Sequence, residues 1–350
     1  MKILHITSID GLMSNGVAVA VADYFNYEKG LAEVAIYNAK DDVVSNEFSY
    51  NISDYKDISA LPDGFSSPDI VIFHEVYKPV YLSLYKECIK KGIPYIVVPH
   101  GCSTRLSQRR KWLKKKVANV LLFNRFVKKS LAVQYLNEGE RDCSIYKNHK
   151  YLISGNSISI KKSKNKFKNK DFVYIGRYSI RHKGLDLLAE SIAKNKKWFR
   201  DNNVRVQLYG KDSEQERQKL EKMISDRGIS DLLLLNDAVY GDVKQKILLG
   251  AYVFIQPSRW EGQPMAVMEA LSYGLPCIAT FNTSFGDYIN EKQCGVGVTF
   301  NADELFMAMK QMFEDEKFRN KCAKNTKVIE RDFFGPDVAK RCINDYRGML

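Results

Sequence analysis

The sequence predicts an α/β protein of two domains, each built on a parallel sheet covered by helices on both faces. Three observations predict it. Short apolar runs such as Lys2-Ile-Leu-His-Ile-Thr7, Asp69-Ile-Val-Ile-Phe73 and Tyr95-Ile-Val-Val98 alternate with helix-patterned stretches, and strands apolar on both faces belong to doubly covered parallel sheets. A chain of 350 residues is long enough for two domains with a core in each. The composition, 45% apolar and 27% charged, is that of a globular protein.

The same composition excludes several classes. No apolar run approaches the roughly 18 residues of a membrane span, and Met1-Lys-Ile-Leu-His-Ile-Thr-Ser8 has no long apolar core before a cleavage site. The expected location is therefore the cytoplasm. Seven cysteines, at 88, 102, 143, 277, 294, 322 and 342, form no Cys-x-x-Cys pair and read as reduced thiols, not as a disulfide frame or zinc site. The net charge of +13 is local: ten Lys or Arg and no acid lie between Gly101 and Asn137, and six Lys and no acid between Lys161 and Lys170. The rest of the chain has 38 basic and 41 acidic residues.

In chain order, Lys2–Thr7 is a strand, Ser8 to Gly16 a polar loop, and Val17 to Phe25 a helix. Further strands are expected at Glu33–Tyr37, Asp69–Phe73, Tyr95–Val98 and Val120–Phe123, and helices near 78–91 and 125–135; the stretch 41–68 has no regular pattern. His100, in Pro99-His100-Gly101, follows a strand directly, which puts its imidazole at the carboxyl end of the sheet, where open α/β sheets bind ligands. A basic segment comes next: Arg105, Arg109, Arg110, Lys111, Lys114, Lys115 and Lys116, with Trp112 and Leu113 interleaved. It suits an anionic membrane surface or an acceptor, and a solvated helix face is the plainer alternative. No helix-turn-helix, RNP or zinc-finger pattern supports nucleic acid as a partner.

A boundary is placed near 156–170, where Tyr151-Leu-Ile-Ser-Gly-Asn156 closes one domain and the lysine-rich 161–170 reads as a linker or exposed loop. The second domain opens with a strand into Gly176, then Arg177, with Lys183-Gly184 just before a helix. That spacing outlines a diphosphate clamp of two fixed cations. Strands follow at Val204–Tyr209, ending in Gly210, and at Leu232–Asn236, and the apolar run Ile247–Ile255 reads as a buried strand stopped by Gln256-Pro257. Pro264 suits the first turn of a helix, leaving the amides of Met265, Ala266 and Val267 as unpaired donors at its positive end. Glu261 lies in the loop and Glu269 one turn deeper among apolar neighbours; a polyhydroxyl ligand or a structural ion pair with a residue such as Arg259 would satisfy Glu269. Cys277–Thr280 resumes the sheet, Gly286-Asp287 and Gly295-Val-Gly297 read as turns, and 302–314, 316–331 and 337–348 read as helices.

Pro257-Ser-Arg-Trp-Glu-Gly-Gln-Pro264, Glu269-Ala-Leu and Gly274-Leu-Pro resemble the Glu-x7-Glu signature of retaining glycosyltransferases of family 4, in particular capsule and O-antigen polysaccharide-building members. The resemblance implies the GT-B fold, two Rossmann-like domains facing across a cleft: 1–156 on the acceptor side, with the C-terminal helix 337–350 crossing back onto it, and 157–336 holding a nucleotide-diphosphate sugar. It implies catalytic roles for His100 and Glu261. Donor binding is implied for Gly16, Arg177, Lys183, Gly210, Val239, Gln263, Pro264, Met265, Ala266 and Glu269. The family's usual glycine pair is reduced here to Asn15-Gly16, and its Asn-Gly domain turn is reversed to Gly155-Asn156. No cofactor or metal is expected, and the chain has no Asp-x-Asp triplet. The implied path is front-face transfer, the leaving phosphate accepting the acceptor's proton. The implied partners are a UDP- or GDP-linked sugar, a saccharide or lipid-linked saccharide acceptor, and the inner face of the cell membrane. A hydrolase or phosphorylase on the same fold, or an inactive sugar-binding scaffold, remains the alternative.

Overall fold

The computed structural model describes residues 1–9, 16–40, 49–62, 64–109, 112–147, 149–161, 163–212 and 215–350. They form two compact units, one of Met1–Ser157 with Phe333–Leu350 and the other of Ile158–Asp332. The first unit has β1 (Lys2–Thr7), β2 (Glu33–Asn38), β3 (Ser49–Asn51), β4 (Ile70–His74), β5 (Tyr95–Val98), β6 (Ala132–Tyr135) and β7 (Tyr151–Ile153). The second has β8 (Phe172–Ile175), β9 (Val206–Tyr209), β10 (Leu233–Asn236), β11 (Val253–Gln256), β12 (Cys277–Thr280) and β13 (Gly295–Val298). Among the described residues the sheets run β3-β2-β1-β4-β5-β6-β7 and β10-β9-β8-β11-β12-β13, with every pairing parallel.

Side-chain alternation explains the uninterrupted apolar strands. Leu4, Ile6, Val71, Phe73, Tyr95 and Val97 point into one core of the first unit. Ile3, Ile70, Ile72, Ile96 and Val98 point into the other. Val338, Cys342, Ile343 and Tyr346 of the final helix, Gly335–Met349, complete that second core, so the chain's end is packed into its first unit. In each sheet the strand order reverses beside the first strand, between β1 and β4 and between β8 and β11. Connections leave in opposite directions there and open a crevice at the carboxyl ends.

Several expected elements differ. Val120–Phe123 is not a strand but lies in a wide helical turn, Asn119–Phe123, continuing the helix Trp112–Ala118. The strand is Ala132–Tyr135, inside the stretch expected to be helical; its side chains are buried, whereas Val120, Leu121 and Leu122 are exposed. The run Ile247–Ile255 is split between the end of a helix, Gly241–Gly250, and β11. Gly286 is helical and Gly295 to Gly297 are strand, not turns. These glycines serve close packing: a Cβ on Gly295 would lie 1.9 Å from the Cys277 carbonyl oxygen, and one on Gly297 2.5 Å from that of Gly286. The lysine-rich 161–170 segment is pinned to the second unit by Asn165 N to Tyr273 O (2.6 Å), Lys166 N to Leu249 O (3.0 Å) and Asn169 N to Gly250 O (2.9 Å).

The His100-Gly101 turn, with His100 at φ 50°, is held by Glu140. The Glu140 carboxylate accepts the Gly101 and Leu136 amides at 2.5 and 2.8 Å. Burial outweighs those bonds and pushes its pKa up to about 7. The folded chain thus holds this proton more tightly than the unfolded chain, so the stability it contributes is full below the ordinary carboxylate range and lost as pH rises through about 7. Urea denaturation should show wild type losing about 3 kcal/mol more than Glu140→Gln between pH 4.5 and 7.5; parallel profiles would contradict this.

Candidate functional site

The carboxyl ends of β8 and β11 bring together the residues that the sequence singled out in the second unit. A Cβ on Gly184 would fall 1.8 Å from the Pro257 carbonyl oxygen, and Gly184 has φ +67°. Only glycine permits this approach, and it sets Lys183 against the loop after β11. Gly210 is as tightly placed at the neighbouring strand end, where a Cβ would lie 2.3 Å from the Gly176 carbonyl oxygen. Val239 is partly buried between β10 and the helix Gly241–Gly250.

Lys183 and Glu261 form an ion pair, each side chain only 14% exposed. Ser258 Oγ donates to Glu261 Oε1 at 3.1 Å, and Gln256 Nε2 donates to Ser258 Oγ at 2.7 Å. Burial raises the Glu261 carboxyl, but the charge of Lys183 foremost, with the bonds from Lys183 and Ser258, outweighs it and holds it below the usual range. It is an anion at neutral pH. His182 stacks on Trp260 with centroids 4.5 Å apart, and its Nε2 lies 3.0 Å from the Trp260 carbonyl oxygen, so that nitrogen carries the proton. Burial, against the pull of the Glu261 carboxylate and helped by the charges of Lys183 and Arg177, lowers His182 to about 4 and keeps it neutral. Arg177 is exposed and acts electrostatically on the same cluster.

Arg259 does not meet Glu269. Its guanidinium clasps Asp186 at 2.8 and 2.6 Å, bonds the Arg181 carbonyl at 2.7 Å and stacks on Phe300, stapling the loops after β8 and β11 together. Glu269 pairs with Lys244 and is 29% exposed, twice as open as Glu261; the expected depth of the two glutamates is reversed. Pro264 caps the helix Met265–Ser272 instead of opening it. The Val267 amide therefore donates to the Pro264 carbonyl at 3.0 Å. Met265 and Ala266 are left as first-turn amides without a backbone acceptor among the described residues. Gln263 is buried beside them. Gln256, Ser258 and His182 were not anticipated; their signal was polar residues directly at strand ends or beside Lys183.

In the first unit, His100 follows β5 and Gly16 begins the helix Gly16–Glu28; the loop before Gly16 lies outside the described residues. In the basic segment, Arg110 and Lys111 lie outside them as well, as do the side chains of Arg109 and Lys114. Arg105 and Lys116 are exposed. Lys115 turns inward, donating to Ser107 O at 2.7 Å with its ammonium 5.1 Å from the Tyr77 ring centroid. Trp112 and Leu113 are 56% and 59% exposed, and an apolar face unanticipated from the sequence extends them through Val117, Val120, Leu121 and Leu122. Among the described residues no helix is long and apolar enough to cross a membrane, and no His, Cys, Asp and Glu side chains group as metal ligands.

Residues 156–328 match the family described as glycosyl transferases group 1. A GDP-mannose:cellobiosyl-diphosphopolyprenol alpha-mannosyltransferase of Xanthomonas oryzae pv. oryzae is 24% identical over 302 residues, 82% of this chain and 76% of the relative. A UDP-Gal:alpha-D-GlcNAc-diphosphoundecaprenol alpha-1,3-galactosyltransferase of Escherichia coli is 32% identical over 97 residues, 27% of this chain and only 24% of the relative. The crystal structure of Anabaena HepE in complex with UDP and glucose superposes with a TM-score of 0.75 at 14% identity, covering 99% of this chain and all of that one. The fold is that of GT-B glycosyltransferases.

The buried pair has a direct test. Lys183→Met strands the Glu261 anion and should cost about 3–5 kcal/mol in urea denaturation at pH 7, and adding Glu261→Gln should restore most of it. Equal losses in single and double variants would show that the two side chains do not act as a pair.

Proposed function

We propose that this chain, whose residues 156–328 match the group 1 glycosyl transferases, moves a sugar from a nucleotide-diphosphate donor to a lipid-linked saccharide, with retention of configuration, in the building of a cell-surface polysaccharide. The observation that carries the reading is the cluster at the β8/β11 switch point. Arg177 is an exposed cation, Lys183 a positioned one, and the Met265 and Ala266 amides open at a helix N-terminus. A diphosphate engages all three kinds of donor. Negative charge grows on the leaving diphosphate as the glycosidic bond stretches, and fixed donors stabilise that charge without reorganising. Glu261 is then the acceptor for sugar hydroxyls, and Glu269, the more open carboxylate, serves the ribose. The donor supplies the charge that Glu261 now supplies to Lys183, so phosphate binding frees Glu261 to turn to the sugar.

Two things support a lipid-linked acceptor: the names of the relatives, which carry a diphosphopolyprenol or diphosphoundecaprenol, and the first unit's surface. The exposed Trp112, Leu113, Val117, Val120, Leu121 and Leu122, beside Arg105 and Lys116, have the amphipathic composition of an interfacial helix on an anionic bilayer. This site on the inner membrane face would meet a lipid-borne acceptor without a spanning helix.

A panel of UDP- and GDP-sugars, read by melting temperature and by new glycoside, tests the enzyme. One donor class should stabilise the protein, turnover should persist with chelator present, and the product should keep the donor's anomeric configuration. Lys183→Ala should lower turnover by at least about 100-fold. Nucleotide release without new glycoside would mean a hydrolase, and inversion would refute the retaining assignment. Binding to anionic liposomes should weaken as salt rises and disappear in Leu121→Glu with Trp112→Glu; binding that survives both would refute the membrane surface.

A further inference from the structure

The two glutamates of the second unit are held alike, each by a lysine on one oxygen, and the donor site so far accounts for only one of the lysines. Glu261 gives Oε1 to Lys183, to Ser258 and, at 3.5 Å, to Gln256. Glu269 gives Oε2 to Lys244, and its Oε1 has no partner among the described residues yet is not sealed from solvent. On the donor-site reading Lys183 turns to the diphosphate. Lys244 stands elsewhere, on the helix Gly241–Gly250, and its ammonium meets no other acceptor among the described residues. The lysine is 24% exposed and the carboxylate 29%. A half-sheltered cation on one oxygen, with the other oxygen left open, aims an acceptor outward.

The helices that carry the pair are pinned together at their far ends. The last carbonyls of a helix lack intrahelical donors, and the 161–170 segment supplies donors to both. Asn165 Nδ2 donates to Leu248 O and Ala251 O at 2.5 and 2.9 Å, and the Lys166 amide donates to Leu249 O at 3.0 Å. The Asn165 amide donates to Tyr273 O at 2.6 Å, and Lys164 Nζ to Ser272 O at 2.9 Å. Ser272 Oγ in turn donates to the Glu269 carbonyl at 2.7 Å. One residue, Asn165, thus ties the helix of Lys244 to the helix of Glu269. A lysine on a drifting helix could not aim a carboxylate; this one is fixed to the same frame as its partner.

Glu269 follows Met265 by four residues and Ala266 by three, so it shares a helix face with the two open amides, about one turn or 5.4 Å further along. A phosphate received at those amides leaves the ribose of its nucleotide within reach of Oε1. The two ribose hydroxyls are neighbouring donors, and a carboxylate oxygen has lone pairs for both. A deoxyribose offers fewer donors to an anion that the bound nucleotide shields from water, and an unpaired charged acceptor is penalised there. Tyr273, raised by burial first and then by the anions of Glu269 and Asp242, stays a neutral phenol and brings no competing charge.

We propose that Lys244 is a positioning residue that aims Glu269 Oε1 at the ribose hydroxyls, and that the Lys244–Glu269 pair makes the donor site selective for ribonucleoside diphosphates over deoxyribonucleoside diphosphates; this rests on the donor-site reading above. Lys244 acts through Glu269 and touches neither the phosphates nor the transferred sugar. With the lysine in place the carboxylate is ordered before the nucleotide arrives, so the bonds to Oε1 form without the loss of freedom that fixing it would entail. Without the lysine the carboxylate turns outward, water competes with the ribose for it, and the preference for ribose falls.

The test uses the full chain and calorimetric titration at neutral pH with UDP, GDP and their 2′,3′-dideoxy counterparts. Wild type should bind one ribonucleotide at least about 20-fold more tightly than its dideoxy form. Lys244→Met should weaken the ribonucleotide about 5- to 10-fold and the dideoxy form less than about 2-fold, and Lys244→Arg, which keeps the charge, should restore the preference. In a Glu269→Gln background Lys244→Met should alter neither affinity. Equal losses for both nucleotides, or a ribonucleotide loss that persists in the Glu269→Gln background, would overturn the role of Lys244. A wild type that binds a ribonucleotide no better than its dideoxy form would overturn the selectivity, and that measurement needs no variant to fold. A wild type that binds neither UDP nor GDP would sink the donor-site reading, and the proposal with it.

Discussion

The candidate site of the second unit depends on one buried ion pair, Lys183 with Glu261. Neither charge is stable alone at 14% exposure, because an isolated buried ion gives up far more hydration than it recovers. Each loop is therefore obliged to supply a partner for the other. Gly184 lets the first loop approach the Pro257 carbonyl, and Arg259 bridges back to Asp186 and the Arg181 carbonyl. The result is two loops, 70 to 80 residues apart in sequence, locked into one surface at the point where the strand order reverses.

The first unit applies the same sheet geometry to a different end. Its strands are apolar on both faces, so a polar residue in them is costly unless bonded. His5, His74 and His100 accept that condition by bonding one another across adjacent strands, and Glu28 bonds His5. Parallel pairing places β1, β4 and β5 side by side, and two-residue alternation turns all three rings to one face. The row is a consequence of register: moving any one strand by a single residue would send its ring to the opposite core.

Much of this was legible in the sequence where one local rule governed the outcome. Apolar runs of four to six residues marked β1, β4, β5, β8 and β12, and the glycines and proline after β8 and β11 marked the loops that hold Arg177, Lys183 and Glu261. What was not legible depended on three-dimensional neighbours. Val120-Leu-Leu-Phe123 has strand composition, but its apolar side chains face outward on a helix, and the strand is the less conspicuous Ala132–Tyr135. Gly295 and Gly297 look like turn residues because nothing local reveals that the Cys277 and Gly286 carbonyls occupy their Cβ positions. The partner of Glu269 is Lys244, on a helix that the apolar run Ile247–Ile255 concealed. His5, His74 and Glu28 carry no motif at all; only the strand order, which no single stretch encodes, makes them neighbours.

On the proposed reading, charge balance at the switch point dictates the order of events. Arg177 and Lys183 are cations, Glu261 is held as an anion and His182 is held neutral, so the cluster carries one net positive charge. A diphosphate carries at least two negative ones. Its arrival therefore cannot leave Lys183 shared between phosphate and Glu261 without leaving a carboxylate oxygen undersatisfied in a buried place. That oxygen already accepts from Ser258, and a sugar hydroxyl is the donor that the ligand itself can provide for the vacated position. A nucleotide diphosphate without its sugar would take Lys183 and give Glu261 nothing in return, whereas a nucleotide sugar satisfies both. The ion pair thereby couples recognition of the phosphate to recognition of the sugar, and it does so through a group that is costly to strand.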